Sequence, residues 1–422
     1  MSDLVDSLLS FIEVSPTPYH CARTAAGRLD AAGFTEIAAT ESIPPGAGSY
    51  YRIDGGSIIA WSHGGSANRF TVLGAHTDSP NLRIRVNADI QSAGWNQLGV
   101  EVYGGVLLNS WLDRELGLAG RVTYADGTIL FHDNRPLLRI PQLAIHLDRK
   151  IRENGLKLDP QAHLNPVWSL EGDTGSFLGY LAEQTGLPVD SILAWDVMAF
   201  DTQKPVRFGR NGDMIAAARI DNQLSSFAAT EAITQIQHDP IGESREAIAV
   251  LALFDHEEVG SQSSTGAAGA ALPNVLERIG ASAGWDRTTY LEALSRSYVV
   301  SADCAHATHP NYVDRHEPDH RIAINSGVVV KRNANQRYAS DALSETPFRM
   351  ACAAADVPVQ TYVHRNDLPC GSTIGPATAA ELGVRTVDVG APQLAMHSIR
   401  EMCGVEDVGH LTKALASVLR IA

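Results

Sequence analysis

The run Ala247-Ile248-Ala249-Val250-Leu251-Ala252-Leu253-Phe254, with the stretch it delivers, Asp255-His256-Glu257-Glu258-Val259-Gly260-Ser261, decides how the rest of the chain is read. An unbroken apolar run of strand length suits a strand buried on both faces, as in a parallel sheet. A strand that deep ending in Asp-His-Glu-Glu needs partners for its carboxylates, because burying unpaired charge is costly. Two adjacent glutamates at such an edge suit a hydrolytic metal site, where one ligates the ion and its neighbour takes a proton from water. A solvated acidic loop fits the same letters. The choice rests on what the other strands end in.

Upstream, the run Phe70 to Gly74 ends in Ala75-His76-Thr77-Asp78. There Asp78 is expected to accept the far N–H of His76 and fix the tautomer that faces a metal. Read alone, His76 better suits an ordinary hydrogen-bonded histidine than a ligand. Met214 to Ile220 reads as a strand, followed by Asp221-Asn222 and a helix from about Gln223 to Gln237. Asp221 by itself suits a helix N-cap. Downstream, the strand Tyr298 to Ala302 delivers Asp303, and Arg385 to Val389 leads through Gly390-Ala391-Pro392 to His397.

Open α/β sheets hold their ligands at the carboxyl ends of strands, and these five transitions present His76, Asp221, Glu258, Asp303 and His397. Oxygen and imidazole donors without thiolates fit zinc first, with manganese or cobalt also suited. Three carboxylates and one bridging hydroxide together balance the charge of two divalent ions that share one acid. The expected assignment makes Asp221 the bridge, pairs His76 with Asp303 on one ion, and pairs Glu258 with His397 on the other. Glu257 is left as general base and Asp78 as the orienter of His76.

At 422 residues the chain exceeds what one core usually serves. Residues 85–211 change texture, with short alternating strands and Gly turns, so they are expected to form an inserted β-rich domain within a catalytic domain made of 1–84 and 212–422. The stretch Asp159 to Gly175 reads as a long loop. A formal net charge of −15 argues against nucleic acid and anionic membrane surfaces as partners. Five scattered cysteines without a CxxC fit a reducing compartment. With no basic n-region before the first apolar residues and no bilayer-length apolar run, a cytoplasmic location is expected.

GAHTDSPNLR, RIDNQLSS, FDHEEVGSQSSTGA, SADCAHATHPN, NDLPCGSTIGP and PQLAMHSIREM together resemble the motifs of the aspartyl aminopeptidase family of di-zinc metallopeptidases, in that family's order and over essentially the whole chain. The resemblance implies a phosphorylase/hydrolase-like α/β catalytic domain, its central mixed sheet flanked by helices, interrupted by a smaller β-rich domain that serves oligomerisation and substrate access. It implies metals on His76, Asp221, Glu258, Asp303 and His397, with Glu257 as the base. It also implies removal of N-terminal residues, classically acidic, from peptides with a free N-terminus. Assembly into a homo-oligomer, a tetrahedral dodecamer in the family, follows too. There a histidine matching His146 reaches a neighbouring subunit's active site to bind substrate. One departure stands out: Asn335 occupies the position of a family lysine suited to an acidic side chain, leaving Lys331, Arg332 and Arg337 as local cations. Alternatives that keep the site are a di-metal amidohydrolase or carboxypeptidase on other N-acyl substrates. A non-catalytic scaffold of the same fold is the remaining alternative.

Overall fold

The computed structural model describes residues 2–64, 67–237 and 246–421, and all elements and counts refer to them. The run Ala247–Phe254 is buried along its whole length and lies inside a nine-stranded mixed sheet. Across that sheet the order is Thr35–Glu36, Gly48–Asp54, Ser57–His63, Ala247–Phe254, Arg69–His76, Tyr298–Ala302, Arg385–Gly390, Val328–Arg332 and Val359–Val363. The run pairs antiparallel with Ser57–His63 and parallel with Arg69–His76, in a register that sets Phe254 beside His76.

Side-chain alternation explains why the run is apolar throughout. Ala249, Leu251 and Leu253 enter a core shared with Leu8, Phe11, Phe227 and Leu415, from the helices Ser2–Glu13, Ile220–Gln237 and Val405–Ile421. Ile248, Val250, Ala252 and Phe254 face the other way, against Leu272, Leu276 and Tyr290 of the helices Ala271–Ser282 and Arg287–Arg296. Helices thus cover both faces, the arrangement that leaves a parallel strand no polar side. Ala247–Phe254, Arg69–His76, Tyr298–Ala302 and Arg385–Gly390 run parallel, so their carboxyl ends open on one edge.

A second, six-stranded antiparallel sheet has the order Gly127–Leu138, Leu116–Tyr124, Ala194–Asp201, Asn81–Ser92, Trp95–Tyr103 and Val167–Leu170. It has its own core, with Leu82, Leu98, Leu118 and Val197 packed against Phe177 and Leu181 of the helix Phe177–Thr185. Part of the expected loop from Asp159 to Gly175 is therefore an edge strand. A strand of four residues carries too little alternation to be read from sequence.

Met214–Ala217 also departs from expectation. It does not extend the main sheet. It joins a five-stranded sheet with Val206–Phe208, Glu401–Gly404, Pro392–Leu394 and Ala305–His306. The strand stops at Ala217, and Arg219 takes a left-handed φ of 59° before the helix Ile220–Gln237 begins. Asp221 and Asn222 lie inside that helix with non-helical backbone. Asp221 therefore reaches the common edge from a side sheet through a break in a helix, neither as a strand tip of the main sheet nor as a simple N-cap.

Candidate active site

Five side chains from five separate elements meet at the open edge of the main sheet. His76, the last residue of its strand, places Nε2 3.5 Å from Asp221 Oδ1, 3.6 Å from Asp303 Oδ1 and 3.9 Å from Glu257 Oε2. His397 places Nε2 3.3 Å from Glu258 Oε2 and 3.7 Å from Asp221 Oδ2. Asp221 thus offers one oxygen to each imidazole. Ligand-type atoms within 4.8 Å of one another fall into the sets His76, Asp221, Asp303 and Asp221, Glu258, His397, with an overlapping set of His76, Glu257 and Glu258.

Each group is held by a specific backbone device. The Asp303 N–H donates to the Val389 carbonyl at 2.8 Å, carrying the sheet pairing one residue past the strand. Glu401 is buried, and its carboxylate accepts from the N–H of Asp221 at 2.8 Å and from the N–H of His397 at 2.7 Å. One acid thereby ties two site loops together. Past the strand end, His256 takes a left-handed φ of 64° and Glu257–Val259 form a single 3-10 turn. The N–H groups of Glu257 and Glu258 in that turn donate to Oδ1 and Oδ2 of Asp78, each at 3.1 Å.

The role expected for Asp78 shifts accordingly. His76 Nδ1 donates to the main-chain carbonyl of Asp78 at 3.0 Å, while the nearer carboxylate oxygen lies at 3.5 Å. The Asp78 carboxylate chiefly anchors the Glu257-Glu258 turn, and it also accepts the Tyr103 hydroxyl at 2.7 Å. The other imidazole is held from the second sheet, where the Gly105 carbonyl accepts from His397 Nδ1 at 3.0 Å. Both histidines therefore turn Nε2 toward the carboxylates. His146 is not among them. It sits on an exposed turn flanked by exposed Leu143, Ile145 and Leu147.

The electrostatics of this cluster call for a cation. Burial pushes the Glu257 carboxyl up to about 8, with the charges of Asp303, Asp78 and Asp221 adding to it. Burial likewise raises Glu258 well above the usual carboxylate range, helped by Asp221 and Glu257. Burial alone would lower His76, yet its contacts with Asp221, Asp303 and Asp78 outweigh that and draw a proton onto it. Asp221 Oδ1 and Glu258 Oε1 are buried without a hydrogen-bond partner. Crowded acids, orphaned oxygens and two imidazoles oriented through their far nitrogens form a hard N/O donor set without sulfur. Such a set fits zinc.

The site opens into a cleft of about 510 Å³. Lys331, Arg337, Tyr338 and Thr373 line it together with the site residues. Lys331 is buried, and its Nζ lies 3.3 Å from Asp303 Oδ2. Against burial, which would raise it, this ammonium and His76 hold Asp303 well below the usual carboxylate range. Arg337 donates from Nε to the Cys370 carbonyl at 3.1 Å. Arg332 turns outward to Glu345 at 3.5 Å, and Asn335 is exposed. Cys304 also lines the cleft, but burial raises its thiol well above its ordinary value, and its Sγ donates to the Ile220 carbonyl at 3.7 Å. Tyr103, Gly105 and Glu401 were not singled out from sequence. The one signal for the first two is the Gly104-Gly105 pair, which lets a backbone approach closely.

The model of the family described as "Aminopeptidase I zinc metalloprotease (M18)" matches residues 11–418. A Streptomyces coelicolor protein named "Probable M18 family aminopeptidase 2" is 46% identical over 422 residues, covering 98% of this chain and 97% of that one. Among solved structures, that of the Ape4 and Nbr1 complex superposes with a TM-score of 0.95 at 35% identity, covering 99% of this chain and 86% of that one. The S. cerevisiae mApe1 dodecamer superposes at 0.85 with 26% identity, covering 99% of this chain and 96% of that one.

Proposed function

This chain belongs to the M18 family of zinc metallo-aminopeptidases, and from that premise we propose that it removes N-terminal residues, acidic ones foremost, using two metal ions and Glu257 as general base. The observation that carries the reading is the sharing of Asp221 between the two histidines, one oxygen toward each. His76, Asp221 and Asp303 would hold one ion, and Asp221, Glu258 and His397 the other. Zinc bound there supplies Lewis-acid polarisation of the scissile carbonyl and makes a water acidic enough to lose a proton near neutral pH.

The chain's own groups do the rest. Glu257 is not needed to complete either set, and its carboxylate stands 3.9 Å from His76 Nε2 at the cleft wall. It takes the proton from the attacking water and returns it to the leaving amine. Asp78 keeps that carboxylate aimed by accepting both N–H groups of its turn. Lys331 offsets the charge of Asp303, so an acidic substrate meets a less negative wall. Arg337 has no carboxylate within ion-pair range among the described residues, and it lines the cleft together with Thr373, the N-cap of the helix Ile374–Leu382. That corner can receive an aspartate or glutamate side chain in place of the cation that Asn335 lacks.

The inserted unit is best placed on the six-stranded sheet, from Asn81 to Asp201. The dodecameric neighbour, together with exposed Leu143, Ile145 and Leu147 beside His146, supports a homo-oligomer in which His146 serves a neighbouring subunit.

The test is steady-state hydrolysis of free-N-terminus substrates beginning with Asp, Glu, Leu or Lys, on zinc-replete and chelated protein, with Glu257→Gln alongside. Chelator-sensitive turnover strongest on Asp and Glu, lost about 10²–10⁴-fold in Glu257→Gln at unchanged zinc content, is the expected result. Preference for a neutral or basic residue would discard the acidic specificity. Equal loss of zinc and activity in the variant would make Glu257 a ligand.

A further inference from the structure

The six-stranded sheet does not stop at the border of the metal site. Its strand Trp95–Tyr103 ends in Tyr103, buried, with its ring 3.8 Å from the Arg83 guanidinium carbon of the neighbouring strand. That stacking fixes the ring while the hydroxyl donates to Asp78 at 2.7 Å. Asp78 in turn accepts from Glu257 and Glu258. Gly104 follows at a φ of 75°, so close that a Cβ there would lie 3.0 Å from the Glu258 Cβ. A Cβ on Gly105 would lie 2.9 Å from His397 Nδ1, the atom that donates to the Gly105 carbonyl. Two residues on, the Leu107 N–H donates to the His397 carbonyl at 3.1 Å.

We propose that the segment from Tyr103 to Leu107 is a positioning clamp for the reaction, with Tyr103 acting through Asp78 on the Glu257-Glu258 turn and Gly105 setting the orientation of His397. The inserted sheet is then part of the catalytic apparatus of its own subunit, in addition to any contact with other subunits. Neither residue touches the reacting atoms. Tyr103 decides where the base and one ligand stand, and Gly105 decides which nitrogen of His397 is free. The inference rests on the assignment of Glu257 as base and of Glu258 and His397 as ligands.

The test uses full-length Tyr103→Phe, which keeps the ring against Arg83 and deletes only the donor, and Gly105→Ala, which crowds His397. Zinc affinity of the metal-stripped protein is read by competition with a chelator, and kcat and KM are read at saturating zinc. Tyr103→Phe should weaken zinc binding or lower kcat by about tenfold or more with KM nearly unchanged, as for other partners that orient ligands. Gly105→Ala should weaken zinc binding by at least as much while the melting profile stays cooperative. A lowered melting temperature with wild-type zinc affinity and kcat in both variants would make the segment a structural support only and overturn the clamp. Full turnover in Glu257→Gln would overturn the base assignment instead, so the two ideas fail on different measurements.

Discussion

The two halves of the candidate metal site are built to different rules. His76 is 1% exposed, at the end of a central strand, and its partner Asp303 is backed by the buried ammonium of Lys331. The side chain of His397 is 29% exposed, sits on a turn at a left-handed φ of 67°, and leans on a carbonyl from another sheet. One half is held by the core and the other by its neighbours. The first should be rigid and tightly metallated. The second should be adjustable, which suits the side of a site where substrate enters and product leaves.

The most severe way to break this contrast is to remove what the halves share. Asp221→Ala should cost both ions, and zinc analysis should find well under one ion per chain with turnover at background. Next, Asp303→Ala and His397→Ala should separate in fold stability. The first takes from buried Lys331 its nearest carboxylate, so denaturant unfolding of the metal-free protein should show a loss of about 3–5 kcal/mol. The second removes a partly exposed imidazole and should cost under about 1 kcal/mol. Similar losses in both would mean that the halves do not differ as described. Metal removal offers a finer test. Dialysis against a chelator should release zinc in two phases, and His397→Ala should abolish the fast one while Asp303→Ala abolishes the slow one. The smallest expected effect belongs to the cleft wall. Arg337→Met should raise KM for substrates beginning with Asp or Glu by about tenfold, the worth of one charge-assisted contact, and leave a Leu substrate nearly unaffected.

The same contrast marks what could be read from sequence. His76 and Asp303 follow apolar runs that announce buried strands, and the structure sets both at the carboxyl edge where such strands put their ligands. Asp221 and His397 were named for the same reason, yet the structure delivers them through a helix break and a turn. The expected residues come together, but by a backbone route other than the strand tips expected for Asp221 and His397. Lys331 shows where pattern fails. In Val328–Arg332 the first four residues are all buried, so no alternation tells which of Lys331 and Arg332 points inward, and a shift of one residue would exchange them. Tyr103 and Glu401 act by contacts over long sequence distances, 25 residues to Asp78 and 180 to Asp221, for which no local pattern exists. The dividing points expected at 85 and 211 were drawn from changes of texture. The strand Asn81–Ser92 runs across the first, and Val206–Phe208 pairs outside the six-stranded sheet before the second.

The bare backbone of Gly104 and Gly105 against Glu258 and His397 has a consequence for protein engineering. Units of this kind invite exchange between relatives, as parts that could be unplugged at their boundary strands. Here the border between the two sheets runs along the candidate site, through the contacts of Tyr103 and Gly105 with Asp78 and His397. A chimera joined at Asn81 and Asp201 would import a foreign wall beside His397 and a foreign support beneath the Glu257-Glu258 turn. Such a hybrid would have to carry its Tyr-Gly-Gly with it, or be selected for activity afresh.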